Sequence, residues 1–255
     1  MQLIQIINLV YAGKVVGKHD ALVLAGFELG KFQLEGMLLC IMMGMNGAMV
    51  TLVAQAKGAD MPALCGFYLN RAILISTFMF VPLSMLMIFG GPCINTLLHN
   101  DEEGARQHAA TNYMMVINLP AVYCLSMFDM LRRFLNCFEM TWVPMQITIG
   151  ATCLHQLWCS ILVDHLGWGV AGIELALTVT SFTLLATISF YARRVPEVYD
   201  VLTWPESTVW SGWMEYLNLA FSSAVIYGTQ YLVFYILIML LGEKDSDLEF
   251  VFIAM

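Results

Sequence analysis

Long runs of apolar residues alternate with short polar connections along the chain. A helix that crosses a bilayer needs about 20 mainly apolar residues. Uncharged runs of that length or slightly shorter lie at 36–56, 72–100, 107–128, 140–163, 175–192 and 216–242. Residues 1–13 are apolar but too short to span comfortably, and 250–255 only begin a further run. The pattern predicts six full membrane spans flanked by two partial ones.

Composition makes a membrane protein the expected class. The chain is 60% hydrophobic and 12% charged, and its mean hydropathy is +0.75. Soluble domains are about 45–50% apolar and about 25% charged, so a soluble fold of this composition would lack polar surface. We therefore expect an all-α, multi-pass protein whose main partner is the lipid bilayer. The sequence leaves open whether the membrane is plasma, vacuolar or organellar.

Several other classes of function are disfavoured. The net charge of −8 argues against a nucleic-acid partner, because phosphate binding needs clustered basic residues. The seven cysteines include no CxxC pair, which disfavours a zinc site or a disulfide framework. No nucleophile–base pairing is evident, so we expect no enzyme activity, no cofactor and no metal.

Charged residues sort the connections into two sets. Basic residues concentrate in the connections at 57–71, 132–139 and 193–213, whereas 100–106 and 243–249 are acidic. Basic connections tend to face the cytosol. We therefore predict that the basic set lies on the cytosolic side or its organellar equivalent, with these residues in connections between spans: Lys57, Arg71, Arg132, Arg133, Arg193 and Arg194.

Five segments in order resemble the multidrug and toxin extrusion (MATE) family. They are "GMNGAMVTLVAQAKGA" (44–59), "GFYLNRA" (66–72), "RRFLNCFEMTWVP" (132–144), "LGWGVAGIELAL" (166–177) and "TWPESTVWSGWMEYLNLAFSSAV" (203–225). Small residues let helix backbones approach closely in a membrane. We therefore interpret seven positions as a helix-packing motif rather than as transport chemistry: Gly44, Gly47, Thr51, Gln55, Gly58, Gly169 and Gly172.

The resemblance implies a twelve-helix fold built from two six-helix bundles. Such proteins exchange H⁺ or Na⁺ for organic cations by rocking the bundles around a central cavity. On this plan, residues 1–192 are the first bundle with a partial first span, and 193–213 form a cytosolic-side connector with a short helix. Residues 214–255 are then the seventh span and the start of the eighth, so the chain is identified as a truncated member.

The sequence departs from the family where coupling acids are expected. Eukaryotic members carry glutamates in span seven, and the same pattern here reads Gln230 and Tyr235. An acid often found in span two falls at Val50. Glutamine cannot titrate, so this route of proton exchange is excluded. We therefore expect a transport-deficient protein retained as an accessory or structural subunit, with other membrane subunits or a second chain covering its open face. The alternative is an active organic-cation antiporter whose second half lies outside this chain.

The remaining candidates for a transport path each have a structural alternative. Lys31 and Glu35 are four residues apart, and form either a relocated coupling site or a self-neutralised pair near the interface. Tyr227, Tyr231 and Tyr235 share one helix face and could cage an organic cation or form a packing stripe.

Two polar residues elsewhere have the same ambiguity. His155, in the middle of a predicted span, either bonds a neighbouring helix or relays protons. Asp129 is expected at a helix end, as an interfacial salt-bridge partner of the arginines one turn later.

Overall fold

The computed structural model describes residues 2–16, 30–31, 34–98, 102–195, 198 and 212–242. These ranges contain seven α-helices and two π-helical segments, and no strand. The α-helices are α1 (Gln2–Val16), α2 (Cys40–Gly58), α3 (Pro62–Leu98), α4 (Glu102–Cys137), α5 (Trp142–Cys159), α6 (Gly169–Ala192) and α7 (Trp213–Gly242). A π-helical segment, Leu34–Leu39, leads into α2, and another, Ser160–His165, follows α5.

Five helices in the described part of the chain are long and apolar enough to cross a membrane. They are Gly36–Gly58, Pro62–Gly90, Thr111–Cys137, Trp142–His165 and Gly169–Ala192. The remaining predicted span, 216–242, lies within the 30-residue helix α7. The expectation of an all-α, multi-pass integral membrane protein is confirmed.

Several span boundaries differ from the prediction, and two of them change the placement of basic residues. Helix α3 begins at Pro62 rather than at 72, and α4 continues to Cys137 rather than ending at 128. Arg71, Arg132 and Arg133 therefore lie inside helices, and their assignment to connections is wrong.

Local partners explain why the helices continue through these charges. The Arg71 guanidinium lies 4.5 Å from the ring centroid of Phe67 and is almost buried. Arg132 and Arg133 both pair with Asp129, one turn earlier on the same helix. A compensated charge in a membrane helix costs less than an isolated one, so these residues do not end the span.

Helix α2 lies at the centre of the main core. Its buried Met42, Met45, Met49 and Val53 pack among side chains from α3, α4, α6 and α7. Methionine is unbranched and flexible, which suits it to filling irregular gaps between helices. A second cluster joins α1, α5 and α6 around Tyr11, and so ties the first helix to the bundle.

Helix α7 packs closely along α2. A Cβ added at Gly44 would stand 2.5 Å from Ala224 Cβ, and one added at Gly47 would stand 3.0 Å from Ser223 Cβ. About two turns before these small residues of α7, the buried Tyr216 hydroxyl donates a 2.6 Å hydrogen bond to the Met45 carbonyl. Glycine on one helix and small residues on the other permit this approach, which fixes α7 against the bundle.

A tight turn connects α5 to α6. Gly167 and Gly169 have φ values of +66° and +58°, in the left-handed region that favours glycine. Trp168, between them, donates its backbone N–H to the Leu162 carbonyl at 3.1 Å. The turn sets α6 back against α5.

Candidate functional site

A cavity of about 470 Å³ lies between α2, α4, α5 and α7. Its wall combines charged, amide and hydroxyl groups with apolar side chains. The lining residues are Leu39, Cys40, Met43, Phe128, Asp129, Arg132, Arg133, Thr148, Tyr227 and Gln230. The volume falls within the range of about 300–1,000 Å³ typical of small-molecule sites. This cavity is the candidate site.

Asp129 organises the charged wall of the cavity. Its carboxylate accepts hydrogen bonds from the Arg132 guanidinium and from Arg133 Nε at 2.6 Å. The spacing of three and four residues on α4 brings both arginines to one helix face. Asn46 of α2 adds a third donor, with Nδ2 3.0 Å from Asp129 Oδ2 and 3.1 Å from the Ser126 carbonyl.

Asp129 does not lie at a helix end as expected. It lies about two turns before the end of α4, and its side chain is 5% exposed. The prediction that it forms salt bridges with the two arginines is confirmed. A buried carboxylate needs such partners because desolvation strongly disfavours an unpaired charge.

The charged residues of the cavity wall sum to a positive charge. Two arginines against one aspartate give +2 − 1 = +1 for the described residues that line the cavity. Arg132 keeps 38% of its side chain exposed and Arg133 keeps 23%. The Arg133 guanidinium also lies 5.6 Å from the centre of the Tyr227 ring. The wall therefore offers guanidinium donors to a bound molecule.

Helix α7 contributes Gln230 and Tyr227 to the cavity wall. Gln230 is exposed and Tyr227 is half-buried. Tyr231 and Tyr235 occupy helical positions on α7, but their side chains lie outside the described residues. Of the four α7 candidates, the structure thus brings Gln230 and Tyr227 together at the cavity.

The Lys31–Glu35 pair is only partly described. Lys31 is helical and half-buried, whereas the side chain of Glu35 lies outside the described residues. Both alternatives for this pair remain predictions.

His155 lies in a separate buried network among α1, α5 and α6. Its Nε2 is 2.7 Å from Asn8 Oδ1, and its Nδ1 is 2.9 Å from Thr180 Oγ1. Cys159 Sγ lies 3.4 Å from the same Nε2. The histidine is fully buried and is not among the residues that line the cavity. Its contacts join three helices.

The seven positions of the proposed packing motif have different surroundings. Gly44 and Gly47 face α7, and Gly172 lies where an added Cβ would be 3.1 Å from the Leu162 carbonyl. Gly169 is next to Val15 of α1. In contrast, Gly58 has open space around it, and Thr51 and Gln55 are exposed at the end of α2.

The sequence predicted Asp129 and its two arginines as a salt-bridge cluster, but not as part of a cavity wall, and it did not identify Asn46. Asn46 is a polar residue within the predicted span 36–56, which could have marked it as a candidate. The pairing of Asn46 with Asp129 depends on how α2 and α4 pack, which local spacing does not give.

The described residues form a bundle of membrane helices with a charged cavity beside the closely packed α7, an arrangement that defines a class of multi-pass membrane protein. The sequence model of the MatE family matches residues 1–162. The chain belongs to this family.

Known proteins resemble the chain over most of its length. It is 23% identical over 236 residues to Protein DETOXIFICATION 36 of Arabidopsis thaliana, covering 91% of this chain and 46% of that protein. It is 25% identical to Protein DETOXIFICATION 41 of the same plant, covering 82% of this chain and 41% of that protein. The fold resembles the crystal structure of the eukaryotic MATE transporter AtDTX14, with a TM-score of 0.82, 20% identity, and coverage of 96% and 53%. The chain thus spans about half the length of these relatives.

Proposed function

We propose that this chain takes part in the transport of small organic molecules across a membrane, through the cavity between α2, α4, α5 and α7. The observation that carries the proposal is the cavity itself, a charged site among apolar helices in a member of the MatE family. Intramembrane charges are costly, and they usually mark ion or substrate pathways. The fold's likeness to a MATE transporter supports the same function.

From the family, we propose that movement of the organic molecule is coupled to exchange for H⁺ or Na⁺. In this chain α7 has no acid between 216 and 242, and the carboxylate on the cavity wall, Asp129, is paired with two arginines. The one acid of α7, Glu215, lies in its first turn, before this uncharged run. Coupling through a carboxylate within the run 216–242 is therefore not available. We propose that any coupling ion uses another site.

A second candidate is an accessory membrane subunit without transport activity. The observation that favours it is Gln230, which stands in the cavity wall where the family pattern places a titratable glutamate. In this role, partner membrane subunits or a second chain would cover the exposed face of α7, which includes Phe221 and Ile226.

Transport in liposomes distinguishes the two candidates. The full chain is reconstituted, and entry of an acridine cation and of naphthalene-2-sulfonate is followed under a pH gradient, a Na⁺ gradient and neither. Gradient-dependent flux above that of empty liposomes supports the transporter. Flux equal to that of empty liposomes for both probes contradicts it. Detection of a stable heteromeric membrane complex by native mass spectrometry would then support the accessory role.

A further inference from the structure

The cavity wall is better suited to an anionic organic molecule than to an organic cation. We propose that the cavity between α2, α4, α5 and α7 binds the carboxylate, sulfonate or phosphate group of an organic anion, with Arg132 as its principal charged contact. The role of this anion site in transport rests on the proposed function, whereas binding of the anion does not depend on it.

The first argument is the charge of the cavity. Asp129 neutralises only one of the two guanidinium groups that line it, so the charged lining residues that the structure describes leave +1. A positive charge brought into this partly desolvated site is repelled by the guanidinium groups more strongly than it would be in water, because the effective dielectric constant is lower. An organic cation would meet this repulsion, whereas an anion would complete the neutralisation.

The second argument is the supply of hydrogen-bond donors. A guanidinium carries five N–H donors, and Asp129 accepts one hydrogen bond from each arginine. Arg132 remains 38% exposed at the cavity wall. Arginine binds carboxylate and phosphate groups with paired, parallel hydrogen bonds, which suits it to anion recognition. The amide of Gln230, on α7, also lines the cavity.

The third argument concerns the aromatic ring that could have caged a cation. The ring of Tyr227 already faces the guanidinium of Arg133, 5.6 Å from its centre. A second cation over the same ring would compete with this arginine. The ring therefore holds an element of the cavity wall in place, and Phe128 adds apolar surface for the body of the ligand.

Binding of a matched pair of probes to the purified full chain in detergent tests the proposal. Naphthalene-2-sulfonate and N-methylquinolinium have similar bicyclic rings and permanent charges of opposite sign. Because hydrogen bonds to charged groups are strong, we expect the sulfonate to bind about tenfold or more tightly than the quinolinium. Equal affinity, tighter binding of the cation, or binding of neither probe would overturn the proposal.

Three variants test whether the preference for the sulfonate over the quinolinium depends on Arg132. Arg132→Gln should weaken sulfonate binding about tenfold, because it removes the excess charge. Arg132→Lys, which retains the charge, should keep the preference for the anion. Arg193→Gln, at an exposed arginine beyond the end of α6, should bind like the wild type. Loss of affinity in both glutamine variants, or in neither, would contradict the assignment of Arg132.

The binding measurement and the liposome flux measurement together separate this inference from the proposed function. Binding of the sulfonate that depends on Arg132, without flux in liposomes, would refute transport and leave the anion site standing. Flux of the cation alone would support transport and refute the anion site.

Discussion

Asp129 receives hydrogen bonds from Arg132, Arg133 and Asn46 in a helix that the hydropathy pattern would end one residue earlier. At the scale of the residue, the same group has two effects. It makes two arginines tolerable within a span, and it sets the charge of the cavity wall. The stability and the binding properties of the site are therefore linked through one carboxylate.

Removing that carboxylate should destabilise the protein. In Asp129→Ala, two guanidinium groups and the Asn46 amide lose their shared acceptor. We expect a loss of about 2 kcal/mol in the free energy of unfolding, between the values for exposed and for buried ion pairs, because both arginines are partly exposed. Reversible unfolding in mixed micelles measures this change.

The matched control is Asp164→Ala, which alters an exposed aspartate after α5. It should change the unfolding free energy by about 0.5 kcal/mol or less. A similar loss in both variants would contradict the structural role of Asp129.

At the scale of the element, the contact between α2 and α7 depends on small residues. Gly44 faces the backbone of Ala224, with 2.6 Å from an added Cβ to Ala224 Cα. A side chain at this position requires the helices to move apart. The neighbouring hydrogen bond from Tyr216 to the Met45 carbonyl would be strained by the same displacement.

Gly44→Ala should therefore destabilise the protein by about 1–3 kcal/mol, as overpacking does elsewhere. The control is Gly150→Ala on α5, where an added Cβ has no neighbour within 4 Å. It should be neutral or stabilising by up to about 1 kcal/mol, because alanine is the better helix former. Thermal unfolding of both variants in the same detergent makes the comparison, and equal effects would contradict close packing at Gly44.

The buried network around His155 fixes α1 against α5 and α6. Asn8 and His155 lie 147 positions apart in the sequence and are joined by a 2.7 Å hydrogen bond. Because both are buried, each loses a partner when the other is removed.

A double-mutant cycle with Asn8→Ala and His155→Ala tests this connection. We expect the two losses in unfolding free energy to be non-additive, with a coupling of about 1 kcal/mol. The pair Asn8→Ala and Thr148→Ala, in which the second residue lines the cavity, serves as the uncoupled comparison. Additive losses in the Asn8–His155 cycle would show that the hydrogen bond contributes little.

At the scale of the whole molecule, the class of the fold and the spans within the described residues could be predicted from hydropathy, but the contents of the cavity could not. The runs 36–56 and 140–163 were placed within a few residues, because apolar length alone determines a span. The uncharged run ends at 128 because Asp129 follows it, whereas α4 continues to Cys137. The carboxylate and guanidinium groups compensate one another only once the helix is formed. Asn46 entered the charged wall through packing of α2 on α4, which no local pattern contains.

The central claim is that the cavity between α2, α4, α5 and α7 is the path of a transported molecule. Thr148 of α5 lines it, whereas Gln146, two residues earlier, is exposed on the same helix and does not line it. A tryptophan at 148 would fill much of the space, and one at 146 would leave it open.

The most direct measurement is the initial rate of naphthalene-2-sulfonate flux into liposomes that contain the wild type, Thr148→Trp or Gln146→Trp, with equal amounts of folded protein. We predict that Thr148→Trp reduces the rate about tenfold or more and that Gln146→Trp transports like the wild type. Unchanged sulfonate flux through Thr148→Trp, or no flux of either the sulfonate or the acridine cation through the wild type, would contradict the claim.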